Sequence, residues 1–216
     1  MTRHDSWTAN WVCDKLIADE NIIKASPVNS NLLLLCAKEI DYPVKVASIS
    51  VNTINSDEIQ EVYQDRDIEF IMNIKKDVLI TKDALEFSES ISVGLGGLGD
   101  LYVAVNERNF REYLPKETRF ILRGLRQHTN VEDVERLNNR KYKISRCTGR
   151  DLVILALNDY DLSADSVRSG LDKFGKCDII LTSNPNCRPS IESKDAAKHC
   201  GVELFRWREL LGAINY

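Results

Sequence analysis

The feature that most constrains this chain is a blurred internal repeat. Residues 178–215, DIILTSNPNCRPSIESKDAAKHCGVELFRWRELLGAIN, read as strand, polar loop, helix, strand and short helix, and residues 67–106 run through the same order. Strands of this apolar kind need helices over their faces, so the repeat points to an α/β chain built from strand–helix units. A length of 216 residues suits two small domains or one larger one, and 43% apolar residues supply a core for either.

Read in order, the first half opens with a helix to about residue 17, capped by Asp5 or Ser6, with Trp7, Trp11 and Leu16 roughly on one face. A hairpin follows, with strands over 29–38 and 43–52 that carry the apolar run Leu32 to Leu35 and the residues Val44, Val46, Ile49 and Val51, turning at Asp41-Tyr42-Pro43. Ser56 is expected to cap a helix bearing Ile59, Val62 and Tyr63. Then come a strand over 67–73, a helix from Thr81 to Ser90, a short strand over 91–93 and a helix or extended segment to 106. The second half gives a helix over 119–128, a connecting segment to 137, and a hairpin of 141–146 with 151–158. A helix capped by Ser163 and closed by Gly175 follows, then a strand over 178–182, a helix from Ser190 to Cys200, a strand over 202–207 and a helix over 208–215. Lys82-Asp83-Ala84 and Lys194-Asp195-Ala196 fall in matching helices. Two α/β halves, 1–106 and 107–216, are therefore expected, the alternative being one Rossmann-like doubly wound domain.

A helix, a strand hairpin, and then helix–strand–helix–strand resembles the αβββαβ core of the restriction-endonuclease-like superfamily. The ending, with its Asn-rich loop, Ala-containing helix, Gly201-Val202-Glu203-Leu204 and Glu209-Leu210-Leu211, is similar to the tail of Mrr-type members. The resemblance implies a nucleic-acid-associated protein of bacterial restriction or defence type. Such nucleases hold a divalent ion with an Asp at the hairpin and an acid-x-Lys on its second strand, which together activate water. Neither second strand here, VKVASISVN (44–52) or DLVILALN (151–158), contains acid-x-Lys. Standard metal-dependent cleavage is therefore not expected, no catalytic residue or metal ligand is assigned, and Mg²⁺ would matter only to a nuclease.

The net charge of −4 is unevenly spread: residues 111–146 hold ten basic and five acidic side chains, a local +5 that leaves −9 elsewhere. Within this band Arg119, Arg123 and Arg126 recur at i, i+4 and i+7, opposite Ile121, Leu122 and Leu125, and His128 ends the run. Guanidiniums so spaced suit a phosphate backbone, and Lys141, Lys143 and Arg146 on a nearby strand are expected to extend the patch. The plainer reading is a solvated face or a set of ion pairs. A second cluster, Asn158, Asp159, Asn184, Asn186 and Arg188, falls at the carboxyl ends of strands, where open α/β sheets gather ligands. This supports an alternative, a nucleotide- or small-ligand-binding module, against the reading that Asn and Pro only shape the turns. The third function class is a protein-interaction subunit with a protein partner or a second copy of the chain.

Gly94-Leu95-Gly96-Gly97-Leu98-Gly99 formally matches a dinucleotide-binding fingerprint, yet it sits mid-chain without the downstream acid and is read as a flexible connection. The six cysteines form no CxxC pair and are read mostly as small buried side chains. His199-Cys200 is too few ligands for a metal. With a polar N-terminal stretch and no apolar run near the ~18–20 residues of a spanning helix, a cytoplasmic protein with no membrane partner is expected.

Overall fold

Leu32–Ala37 and Val44–Ile49, the most apolar runs of the first half, pair antiparallel, and every other residue of each enters a different core. In the computed structural model, which describes residues 5–64 and 66–215, these runs are β2 and β3 of a five-stranded sheet. The chain order is α1 (Asp5–Leu16), β1 (Ile22–Pro27), β2, β3, β4 (Thr53–Ile54), α2 (Ser56–Tyr63), β5 (Phe70–Asn73), β6 (Leu79–Ile80), α3 (Lys82–Ser90), β7 (Gly94–Gly96) and α4 (Leu98–Glu107). The sheet order is β1-β2-β3-β5-β7, antiparallel through β3 and parallel beyond it, while β4 and β6 form a small parallel pair. Val44, Val46, Phe70 and Met72 face α1 and α4; Ala47, Ile49 and Ile71 face α2 and α3.

The second half repeats this frame. It runs α5 (Lys116–Arg126), β8 (Val131–Arg136), β9 (Lys141–Arg146), β10 (Leu152–Leu157), α6 (Ala164–Phe174), β11 (Ile179–Thr182), α7 (Ile191–His199), β12 (Glu203–Arg206) and α8 (Trp207–Ala213). Its sheet is β8-β9-β10-β11-β12, again antiparallel for three strands and then parallel. The first residues of β1 and β8, of β2 and β9, of β5 and β11, of α3 and α7, and of α4 and α8 all lie 109 positions apart. Even an irregularity is shared: β1 carries one extra residue between Ile22 and Lys24, and β8 one between Val131 and Asp133. The Lys-Asp-Ala triplets, 112 positions apart, stand about one helical turn out of step with this frame. The chain divides into Met1–Pro115 and Lys116–Tyr216, and Phe110 and Tyr113, which lie past the 106/107 divide expected from the sequence, are buried in the core of the first unit.

The protein is thus a mixed α/β chain, with eight helices and three sheets among the described residues. Two units, each with its own five-stranded sheet, stand in place of the single doubly wound domain of the Rossmann-like alternative. Several local expectations are corrected. The segments before each hairpin are strands, β1 and β8. The first-unit helix after the hairpin is capped by Asn55, whose Oδ1 accepts from the N–H groups of Asp57 and Glu58 while Glu58 bonds back to the Asn55 N–H, so Ser56 is already its first residue. The last strand of the first sheet is Gly94–Gly96 in place of 91–93. The caps at Ser163 and Ser190 and the close at Gly175 are as expected. A cap at Asp5 or Ser6 and the placement of Trp7 lie outside the described side chains.

Candidate nucleic-acid interface

Helix α5 starts directly after Pro115 and buries one stripe, Thr118, Ile121, Leu122 and Leu125. Each fully buried aliphatic side chain there contributes about 1.5–3 kcal/mol, which holds the helix on the second sheet and fixes which residues turn outward. Those are Arg119, Arg123 and Arg126, all exposed. Among the described residues no side chain pairs with Arg123 or Arg126. Both lie in the last turn, where a positive charge complements the free carbonyls of the helix end. His128 closes the helix: its Nδ1 accepts from the Asn130 N–H, so Nε2 carries the proton it donates to the Leu211 carbonyl of α8 at 3.1 Å.

Lys141, Lys143 and Arg146 do not join this face. Lys141 lies opposite Leu155 in the β9–β10 ladder, on the side of the sheet away from α5, and its Nζ donates to the Phe174 carbonyl at 3.2 Å. Lys143 shares that side and pairs with Asp151 at 3.0 Å. Arg146 sits on the α5 side but only 9% exposed, donating to the carbonyls of Arg150 and Ile214. Its guanidinium lies over Gly149, whose φ of +94 and lack of a Cβ make the hairpin turn possible. The three residues expected to extend the patch are thus split between two faces and tied into structure.

Beside the arginines, Phe120 is 54% exposed and its ring stands 5.0 Å from that of Trp207 at the start of α8. Trp207 in turn lies over Gly124, where a Cβ would come within 2.2 Å of its Cζ2.

The carboxyl ends of β10 and β11 hold a cluster that the sequence did not single out. Glu117, on the first turn of α5, pairs with Arg140 at 2.6 Å, accepts from Asn158 Nδ2 at 3.1 Å, and takes a short hydrogen bond from the Ser183 hydroxyl. Of the ligand-loop candidates, only Asn158 joins it. Asp159 accepts from the Ser166 hydroxyl, Asn184 accepts from the Asn186 N–H, and Arg188 is exposed with its N–H on the Tyr160 carbonyl. These loop residues shape turns and caps, and backbone bonds from Arg188 to Tyr160 and from Ser190 to Leu162 lay the two loops side by side. The one sequence signal for Glu117 is its place just after Pro115 at a helix start, because its partners lie 23, 41 and 66 residues away. A groove of 760 Å³ runs beside β12, lined by Lys194, Lys198, Phe205, Arg206 and Glu209 among others.

The glycine motif is not an anion site. Gly94–Gly96 is β7, and a Cβ on Gly94 would meet the Phe110 carbonyl at 2.0 Å. The N–H of Gly97, the N-cap of α4, is taken by Asp100 Oδ2 at 2.8 Å, and Tyr113 donates to Oδ1 at 2.7 Å. An internal carboxylate therefore occupies the place a phosphate would need. Only Cys13 and Cys187 are fully buried, while Cys147 and Cys200 are exposed, so most cysteines are not the buried side chains expected. Burial pushes the Cys177 thiol up to about 11, which keeps it protonated at neutral pH. His199 Nδ1 bonds the Asp195 carbonyl, and among the described residues no three His, Cys, Asp or Glu side chains converge as a metal-binding group. No helix among the described residues is long and apolar enough to cross a membrane.

Compared with known proteins, the chain matches no family model, no curated protein and no solved structure.

Proposed function

We propose that this is a nucleic-acid-associated protein whose second unit holds the phosphate backbone on the outward face of α5, without standard metal-dependent cleavage. The observation that carries the reading is the exposure of Arg119, Arg123 and Arg126 on one face, two of them with no internal partner among the described residues. The unit charges agree: residues 116–216 hold 18 Lys and Arg against 14 Asp and Glu, whereas residues 1–115 hold 11 against 19. An order of helix, three main-sheet strands, helix and strand in each unit, with the short β4 added in the first, supports the likeness to the restriction-endonuclease-like core, and with it a role of bacterial restriction or defence type. Against catalysis stands the sequence of β10, LVILAL followed by Asn158, with no acid-x-Lys.

The test is fluorescence anisotropy of labelled nucleic acid at two salt concentrations with Mg²⁺ present. Affinity should fall steeply with salt, because each phosphate neutralised contributes a slope of about −0.9 on duplex DNA. The folded double variant Arg123→Glu with Arg126→Glu should bind more weakly, with the slope reduced by about 2. Unchanged affinity in that variant would remove the arginine face from the account, and product ladders in the same tubes would restore catalysis. A second reading, an interaction subunit, is favoured by Ile23 and Val28, 68% and 54% exposed on and just after the edge strand β1; stable co-purification of a partner protein would support it.

A further inference from the structure

Phe120 is a large apolar ring left more than half in water one residue from Arg119 and three from Arg123. At 100° per residue it sits beside the arginine stripe on the α5 surface, between that stripe and Gly124. Gly124 is where Trp207 is seated, and Trp207 backs the Phe120 ring at 5.0 Å with an interplanar angle of 49°. A glycine inside a helix sacrifices propensity, and here its missing side chain makes room for the indole. Phe120 is therefore held by a neighbouring ring and presents its outer part to solvent. The nearby carboxylates are engaged elsewhere: Glu209 accepts from the Arg206 N–H and Glu117 pairs with Arg140. Arg208, the residue after Trp207, is also exposed. The surface thus joins a row of guanidiniums, of which Arg123 and Arg126 have no side-chain partner among the described residues, to an aromatic step.

We propose that this surface binds single-stranded nucleic acid, with phosphates on Arg119, Arg123 and Arg126 and an unpaired base stacked on Phe120. The inference rests on the proposed nucleic-acid reading and sharpens its substrate class. A duplex keeps its base faces inside the stack, so an exposed ring can reach them only at the cost of unstacking a step, whereas every base of a single strand offers a π-face. The positive row supplies attraction and the ring supplies the preference for unpaired strands.

The experiment uses the full chain and measures anisotropy of a labelled oligothymidylate and of a duplex of the same length. The wild type should prefer the single strand. Phe120→Ala should weaken oligothymidylate binding about tenfold, the range expected for loss of one stacked base, and leave duplex binding within about twofold. Phe120→Tyr, which keeps the ring, should retain single-strand affinity and so separates lost stacking from disturbed folding. Equal affinity for both forms, or a Phe120→Ala variant with undiminished single-strand binding, overturns the inference while the arginine reading stands on its own charge-swap variant. Absence of salt-sensitive binding to either form overturns both.

Discussion

Where α5 carries Arg119, Arg123 and Arg126, the matching positions of α1, 109 residues earlier, are Asn10, Asp14 and Ile17. Their buried faces correspond position by position: Ala9, Val12, Cys13 and Leu16 in α1, and Thr118, Ile121, Leu122 and Leu125 in α5. The same holds for Leu101 and Val105 of α4 against Leu210 of α8 and Ile214 just beyond it. Inward positions are bound by volume and by the cost of leaving a void, so both units keep them mostly apolar. Outward positions pay no such cost and can change sign of charge. Aromatic size is kept beside the stripe, as Trp11 in α1 and Phe120 in α5, but in α1 a lysine, Lys15, lies 5.9 Å from the ring where α5 has Gly124. One frame thus carries an acidic surface in one unit and a basic one with an aromatic step in the other.

The carboxyl ends of the central strands differ in a similar way. In the first unit Asn73, 1% exposed, closes this end with neutral hydrogen bonds to the N–H and carbonyl of Val51 and to the Lys75 carbonyl. In the second an ion pair, Glu117 with Arg140, takes that place. Asn73→Ala should therefore cost about 1–3 kcal/mol by stranding buried polar groups, whereas Glu117→Gln should cost about 1 kcal/mol, since the pair is partly solvated. Urea melts of the two variants measure the difference, and equal losses would mean that the two ends are closed alike.

A smaller contrast concerns the helix surfaces. Gly124→Ala raises helix propensity by about 1 kcal/mol yet drives a methyl into Trp207, so a net loss of about 1–2 kcal/mol is expected. Lys15→Ala at the matching position of α1 should stay within about 0.5 kcal/mol. If Gly124→Ala proves stabilising in a thermal melt, the indole is not seated as described.

The smallest effect is a pH dependence. Asp83 and Glu192 are the second residues of α3 and α7. The Thr81 hydroxyl and the Ser56 N–H hold the Asp83 carboxyl down at about 2, and the N–H of Glu192 itself and the Ser190 hydroxyl lower the Glu192 carboxyl as well. A carboxyl lowered on folding contributes stability that is complete above its unfolded value of about 4 and is lost as the pH falls toward 2, because the unfolded chain then binds the extra proton. Asp83→Asn should cost less than about 1 kcal/mol above pH ~4 and converge with the wild type near pH ~2. Melts over that range should show less change for Glu192→Gln, since Glu192 lacks the long-range bond to Ser56. A larger effect from Glu192 would reverse this ranking of the two helix starts.

The sequence made the sheet centres and most helices legible, because Leu32–Ala37, Val44–Ile49, Leu152–Leu157 and Ile179–Thr182 are apolar runs that only a buried strand accommodates. The edge strands β1 and β8 escaped notice for a physical reason. Each is an outer strand with an extra residue near its start, which breaks the alternation of period two, and most of their residues meet solvent. The arginine face was readable from its i, i+4, i+7 spacing. Arg146 was misplaced because residues 141 and 143 share a strand face that residue 146, of opposite parity, cannot. The Glu117 cluster was out of reach, since only the folded sheet brings Arg140, Asn158 and Ser183 to one carboxylate.

The irregular edges have a further consequence for how such a chain survives synthesis. Two copies of one frame in a single polypeptide risk exchanging strands, one copy borrowing the partner meant for the other. An open, regular edge strand is the natural point of entry for that error. Here the extra residue in each edge, Pro27 at the end of β1, and Glu132, Asp133 and Glu135 along β8 make both edges poor templates. The irregularities that break the period-two pattern of these two strands thus also disfavour pairing of one copy with the other along the β1 and β8 edges.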